Sequence, residues 1–162
     1  DTSNLCGAIE FSEKISKAGS QPIIGTQINF KFEDTIGLLP IFALEEKGYK
    51  KIIELSSKSF LDNDELSDPH LDINDLFKLD SSGISIFSGT VFGLFGKLFD
   101  KGKFLEISKL YKNLNKNFKD RFYLEIQRHK DHNEQSFEKF NLDQSNNLKI
   151  PIIATNEVFE IN

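Results

Sequence analysis

Apolar and polar positions alternate most cleanly across residues 120–129, DRFYLEIQRH. Phe122, Leu124 and Ile126 share one side of a two-residue period, and Tyr123, Glu125, Gln127 and His129 share the other, which is the pattern of a strand with one apolar and one polar face. Around it, helical and strand-like periods take turns. Residues 4–18 place Leu5, Ile9, Phe11 and Ile15 at near-helical spacing, entered from the turn Asp1-Thr2-Ser3 and followed by Gly19, which accepts the positive φ of a helix end. Residues 22–30 are β-rich, and their interior Gly25 predicts a bend or a close approach of the backbone to something in a binding mouth. Residues 37–43, GLLPIFA, read as a second apolar strand in which Pro40, lacking a ladder donor, predicts a bulge or a strand edge. Residues 45–60 return to a helical period with Tyr49, Ile52, Ile53 and Leu55 directed inward and lysines outward.

The remaining pattern continues the alternation. Residues 62–75 read as a solvated acidic loop. Its carboxylates, Asp62, Asp64, Glu65, Asp68, Asp72 and Asp75, lack the central glycine and terminal glutamate of a calcium-binding loop. Residues 83–87, GISIF, form a short buried strand. Ser88-Gly89-Thr90 then turns directly into an apolar helix through Leu98 that ends near Gly102, and so short a glycine motif reads as a bare tight turn in preference to an anion site. Phe104, Ile107, Tyr111, Leu114 and Phe118 make one stripe along a helix over residues 103–118. Residues 132–149 are polar and helical with an interruption at Ser145-Asn146-Asn147. Residues 150–155 form a last buried strand, closing on Asn156-Glu157-Val158-Phe159.

Strands that alternate with helices build parallel sheets, whose two faces are normally covered and apolar. The polar face of residues 120–129 breaks that rule. A sheet curved into an α/β barrel restores it, with the apolar face against outer helices and the polar face directed into the mouth where such barrels keep their chemistry. His129 would then stand at the carboxyl end of its strand. The 162 residues fall short of the ~250 of a complete eight-stranded barrel. With Asp1 first and no Met, the chain is expected to be a fragment, incomplete at the amino-terminal end and lacking at least the opening strand.

Composition adds little chemistry and excludes some. The net charge of −5 is spread through the chain, so no basic face points to a phosphate backbone gripped by this piece alone. A lone cysteine, Cys6, cannot close an intramolecular disulfide, and no signal peptide or membrane-length apolar run is present, so a reducing cytoplasmic setting is expected, with no membrane contact.

Six ordered blocks then resemble the PHP (polymerase and histidinol phosphatase) domain of bacterial DNA polymerase III alpha subunits: DTSNLCGAIEF from Asp1, PIIGTQINF from Pro22, EEKGYKKIIELSS from Glu45, SIFSG from Ser85, RFYLEIQRH from Arg121 and PIIATNEV from Pro151. The resemblance implies one partial PHP domain over residues 1–162, with a seven-stranded α/β barrel resembling a TIM barrel. Members with an intact site hold metal ions among histidines and carboxylates at the mouth, where the ions lower the pKa of bound water and brace the charge of a phosphoester under attack.

Matched position by position, this sequence keeps few of those ligands. Thr2 stands where the pattern has histidine, Gln27 where it has glutamate, Leu38 where it has histidine, Thr90 where cysteine is common, and Glu157 and Phe159 where it has aspartate and histidine. Only Asp1, His129 and Glu157 retain ligand character as residual metal candidates, so no catalytic residue and no working metal cluster is expected, although a residual Zn²⁺ or Mn²⁺ site is the alternative. His129 has a plainer reading as a histidine hydrogen-bonded to Glu125 or Glu157, and His70 and His132 read as solvated.

For function, the resemblance implies part of a replicative DNA polymerase alpha subunit whose Mg²⁺-binding palm carboxylates and DNA contacts lie elsewhere in the parent protein. The domain itself would be a scaffold that docks a proofreading exonuclease subunit among other replicase subunits. The competing expectations are a still-active metal-dependent PHP phosphoesterase or 3′–5′ exonuclease using Asp1, His129, Thr90 or Ser88, and a stand-alone enzyme of the histidinol-phosphatase kind.

Overall fold

A computed structural model describes residues 4–63 and 67–156. Its elements follow in the order α1 (Ala8–Lys17), β1 (Gly25–Phe32), β2 (Thr35–Ala43), α2 (Glu46–Leu61), β3 (Leu71–Asp72), α3 (Ile73–Lys78), β4 (Ile84–Phe87), α4 (Leu94–Asp100), α5 (Phe104–Phe118), β5 (Phe122–Ile126), α6 (Glu134–Leu148) and β6 (Ile152–Ala154), with a 3₁₀ turn at Lys119–Arg121 before β5. The six strands make one open sheet in the order β3-β1-β2-β4-β5-β6.

Pairing around the polar-faced strand is parallel, as the alternation of elements requires: β5 lies between β4 and β6 with both neighbours running its way. The other half of the sheet departs from that expectation. β1 and β2 form an antiparallel hairpin, and β2 also meets β4 antiparallel. The hairpin turns at Glu33-Asp34 with Glu33 at φ 53°. Glutamate in the left-handed region carries none of the Asn-Gly or Asp-Gly signal that marks such turns in a sequence. Pro40 causes no bulge, since β1 and β2 pair without a break through Gln27 and Pro40. The amide of Ala43 donates to Ile24 on the β1 side, so two-residue alternation turns the position of Pro40 towards β4. The ladder to β4 begins only at Ile41, so no donor is missed.

Burial follows strict alternation in β1 and β2, where Thr26, Ile28, Phe30, Leu39 and Ile41 are buried and their neighbours half-buried. The buried parity faces the helices and joins Ile84, Ile86, Phe122 and Leu124 with Leu94, Leu98, Tyr111, Leu114 and Phe118 in one core. Its large side chains, Phe30, Phe95, Tyr111, Phe118 and Phe122, are fully enclosed. The α5 stripe enters this core from Ile107 onward, while Phe104 stays half-exposed and stacks on Phe99 and Phe140.

Several expectations are corrected. The loop over residues 62–75 contains β3 and the start of α3, whose N-terminus is capped by Asp72 accepting from the Asn74 amide at 2.8 Å. The helix expected straight after Thr90 begins at Leu94, because Val91 to Gly93 continue the turn. α6 runs through Ser145-Asn146-Asn147 without interruption and stops at Lys149 in the left-handed region at φ 58°. Polar residues there weaken helix propensity by only tenths of a kcal/mol each, which the burial of Phe137 outweighs. α1 closes as expected, with Gly19 at φ 81° and the Ser20 amide returning to the Ile15 carbonyl. Its apolar stripe is not buried: Ile9 is 71% exposed and Phe11 47%, and Ala8 alone is enclosed. Ile53 of α2 is likewise exposed, since α2 turns Gly48, Ile52, Leu55 and Ser59 to the sheet. Among the described residues no helix is long and apolar enough to cross a membrane.

Candidate functional site

The half-buried parity of the sheet opens on a cavity of about 460 Å³. Gly25 and Gln27 reach it from β1, Leu38, Pro40 and Phe42 from β2, Phe87 from β4, Glu125 from β5, and Thr90, Phe92, Gln127, Thr155 and Asn156 from the segments that follow the strands. The two-residue period brings these side chains together. Gln27 faces Pro40 and Gly25 faces Phe42 across the hairpin, while Phe87 faces Tyr123 across the parallel pair. The close approach expected at Gly25 is real: a Cβ there would stand 2.5 Å from the ring of Phe42. Phe42 in turn packs on Phe87 with ring centroids 4.6 Å apart, and Phe87 meets Tyr123 edge-on at 5.6 Å.

Glu125 forms the floor and is 7% exposed. Its Oε1 accepts a hydrogen bond from the Thr155 hydroxyl and one from Gln127 Nε2 at 3.4 Å, and Gln127 Nε2 also donates to Thr155 Oγ1 at 2.9 Å. Behind the floor, the Glu125 amide donates to Ser88 Oγ at 2.9 Å, and deeper in the core the Tyr111 hydroxyl donates to Asn141 Oδ1 at 2.8 Å. Complete burial pushes the ionisation of Tyr111 far above its ordinary range, so it remains a neutral donor.

A clamped loop forms one rim. Glu134, at the start of α6, accepts the His129 amide on Oε1 and the Lys130 amide on Oε2, each at 2.8 Å. Arg128 forks onto Glu138 at 3.1 and 2.7 Å, and this hydrogen-bonded pairing holds the Glu138 carboxyl below its ordinary range. Asn133 donates to Asp100 at 2.9 Å. His129 is therefore corrected: β5 ends at Ile126, and the histidine sits in the following bend, exposed, held by its backbone amide and outside the side chains that line the cavity. The partner of its segment is Glu134, which sequence reasoning did not single out. An acidic residue in the first turn of a helix behind a loop was the available signal.

The pattern of the PHP domain matches residues 1–129. The chain belongs to the PHP domain family. It is 35% identical over 159 residues to the DNA polymerase III subunit alpha of Rickettsia bellii (strain RML369-C), covering 98% of this chain and 14% of that protein. It is 33% identical over 172 residues to the protein of the same name from Caulobacter vibrioides (strain NA1000 / CB15N) and 31% identical over 161 residues to that from Vibrio cholerae serotype O1 (strain ATCC 39315 / El Tor Inaba N16961), again with 98% of this chain and 14% of each relative covered. The chain thus spans about one-seventh of the length of these relatives. The open mixed sheet with outer helices is the described part of the TIM-barrel-like PHP fold.

Within this PHP domain, Gln27, Leu38 and Thr90 all line the cavity, so the positions matched to metal ligands do converge. What they carry is a neutral amide, an isobutyl group and a hydroxyl. Glu125 is the sole ionisable side chain among the described residues around the cavity. One carboxylate without imidazoles does not fit a cluster of two or three cations, whose mutual repulsion has to be offset by anionic ligands. Among the described residues no group of three His, Cys, Asp or Glu side chains could hold a metal ion elsewhere either. Asp1 and Glu157, the other residual candidates, lie outside the described residues.

Proposed function

We propose that residues 1–162 are part of a single PHP domain in the amino-terminal region of a replicative DNA-directed DNA polymerase, the alpha subunit of DNA polymerase III, and that its metal site is degenerate. The domain acts as a scaffold and docks a proofreading exonuclease subunit; other replicase subunits and DNA contact the rest of the parent protein, in the cytoplasm. Nucleotidyl transfer belongs to that rest, where Mg²⁺ held by carboxylates neutralises the triphosphate. Nothing in the cavity described above supplies this chemistry.

The observation that carries the reading is a cavity lined by Gln27, Leu38 and Thr90, residues that the resemblance matches to metal-ligand positions. A hydrolytic PHP site activates water on cations, and an amide oxygen offers no charge to hold them while leucine offers no lone pair. The apolar periodicity of the barrel wall is intact, as a part kept for its shape requires.

Elemental analysis of the full-length parent protein, together with release of phosphate from p-nitrophenyl phosphate, tests the metal half of the reading. Substoichiometric zinc and manganese with no phosphate release is expected. Stoichiometric metal, lost together with phosphatase activity in His129→Ala, establishes the active phosphoesterase instead. Co-purification of the parent with its cognate exonuclease subunit tests the docking half, and no complex at micromolar concentration would overturn it.

A further inference from the structure

We propose that Lys97, Lys101 and Lys103 form an electrostatic latch on the turn of the β1–β2 hairpin, and that loss of charge at Lys101 and Lys103 frees residues 32–36 while the rest of the hairpin stays paired. This turn is the far end of the two strands that carry Gln27, Leu38, Pro40 and Phe42 to the mouth. Two acidic residues, Glu33 and Asp34, make the turn, and Glu33 holds a left-handed φ of 53° that a residue with a side chain rarely adopts without support. The support comes from one corner of the fold. Lys97 Nζ donates to the Ile36 carbonyl at 2.8 Å, Lys101 Nζ donates to Thr35 Oγ1 at 2.6 Å and to Asp34 Oδ1 at 3.3 Å, and Lys103 Nζ donates to Glu33 Oε2. Four successive residues are thus each held by a lysine.

Local structure builds that corner. Lys97 and Lys101, the residue that caps α4, are four residues apart and share a face. Gly102, at φ 72°, then ends the helix: its amide returns to the Phe99 carbonyl at 2.9 Å and the Lys103 amide to the Leu98 carbonyl at 3.0 Å, so the reversal that sets Lys103 against Glu33 is itself fixed. The hairpin has a pivot just inside its tip. A Cβ on Gly37 would stand 2.4 Å from Leu94 Cα, so β2 lies directly against the start of α4, and Phe30, paired with Gly37, is fully buried. Beyond that pair, Phe32 packs against the core only partly buried, which leaves the lysines to decide whether the tip stays down. The hydrogen bond from Lys101 holds the Asp34 carboxyl below its ordinary range, and that to Glu33 holds the Lys103 ammonium above its own. Both pairs reach solvent, so they weaken as the screening length falls towards their separation, ~3 Å at about 1 M salt. Lys97 differs, because its acceptor is a neutral carbonyl.

Amide hydrogen exchange of the full-length parent protein, resolved to single amides by mass spectrometry at about 0.05 M and about 1 M NaCl, tests the latch. Alternation from the bond between the Ala43 amide and the Ile24 carbonyl makes Phe32 with Thr35 the hydrogen-bonded pair that closes the turn, and Ile28 with Leu39 its counterpart inside the sheet. The expected result, after correction for the effect of salt on an unstructured peptide, is exchange at Phe32 and Thr35 that rises at least fivefold at high salt while Ile28 and Leu39 change less than twofold. In the double variant Lys101→Met with Lys103→Met, the tip should exchange at low salt as fast as the wild-type tip does at high salt, and salt should have no further effect. Lys97→Met should speed exchange at the tip and keep the salt response. Tip exchange indifferent to salt, tip and sheet amides that accelerate together, or a double variant indistinguishable from wild type overturns the latch. The wild-type salt series decides the matter by itself should the double variant fail to fold.

Discussion

Replacing Tyr111 by Phe should strip the buried Asn141 of its donor while leaving every ring contact in place. The phenyl ring keeps its edge-on packing against Phe95 at 4.7 Å and Phe122 at 5.7 Å, so little apolar area changes. What disappears is the hydrogen bond that the Tyr111 hydroxyl donates to Asn141 Oδ1 at 2.8 Å. Ser88, Tyr111 and Asn141 are each completely buried, and Asn141 Nδ2 already lacks a partner. A buried polar group stripped of its bond costs ~1–3 kcal/mol, and Asn141 Oδ1 is the group stripped here, giving a loss of about 1–3 kcal/mol. Urea unfolding should show a lower midpoint at unchanged slope, the signature of lost stability without a changed denatured state. Adding Asn141→Leu to the Tyr111→Phe variant should recover part of the loss, because a buried pair removed together leaves no orphan. A loss under about 0.5 kcal/mol, or no recovery in the double variant, would refute the claim that this hydrogen bond is made and buried.

Three further outcomes are expected. Glu134→Gln replaces two acceptor oxygens with one, so either the His129 or the Lys130 amide faces an NH₂ group; amide hydrogen exchange at residues 129–133 should speed up at least tenfold while the β4–β5 core stays protected. Asp80 has its carboxyl held well below the ordinary range by hydrogen bonds from Lys51 and Ser82, so its contribution is present above the unfolded carboxylate pKa of ~3.9 and is lost as pH falls through the depressed folded value; the melting-temperature gap between wild type and Lys51→Ala should narrow on acidification below pH 4 and stay constant from pH 5 to 8. Tyr111 has its ionisation raised by burial, so its stabilising neutral form is fully present below the unfolded value of ~10 and is lost at higher pH; absorbance titration should show one tyrosine that ionises only together with unfolding.

Much of this architecture was legible because it follows from side-chain period. The α5 stripe from Ile107 onward, Ile52 and Leu55 of α2, and Phe122 and Leu124 of β5 are burial patterns, and burial is what a periodic sequence records. The β1–β2 hairpin was not, because its turn is set by Glu33 adopting a left-handed conformation that glutamate rarely advertises. The place of His129 failed for a related reason: alternation continues in the sequence to residue 129, but the ladder stops at Ile126, and two amides captured by Glu134 bend the chain away. α1 shows the limit of such reading, a helical stripe read correctly as a helix whose exposure the sequence left open, since period reports which side is apolar and says nothing of what lies against it.

The same parity argument bounds what the mouth can do. Register carries one alternation unbroken across the sheet: Ile28 with Leu39, Ile41 with Ile86, Ile86 with Phe122 and Leu124 with Ile152 lie on the helix side. Gln27 with Pro40, Phe87 with Tyr123 and Glu125 with Ile153 lie on the other. Thr26, of the first parity near the strand's end, also lines the cavity, while the other side chains of that parity could reach it only by a one-residue slip that would expose the whole core set. Ligands contributed by the described strands therefore come from the second parity and from Thr26. Across β1, β2, β4 and β5 the lining of that parity is glycine, amide, leucine, proline, phenylalanine and a single carboxylate. Among the described residues, what the strands bring to this mouth is therefore neutral amides, aromatic faces and the Glu125 carboxylate, a set suited to recognition by shape and hydrogen bonding.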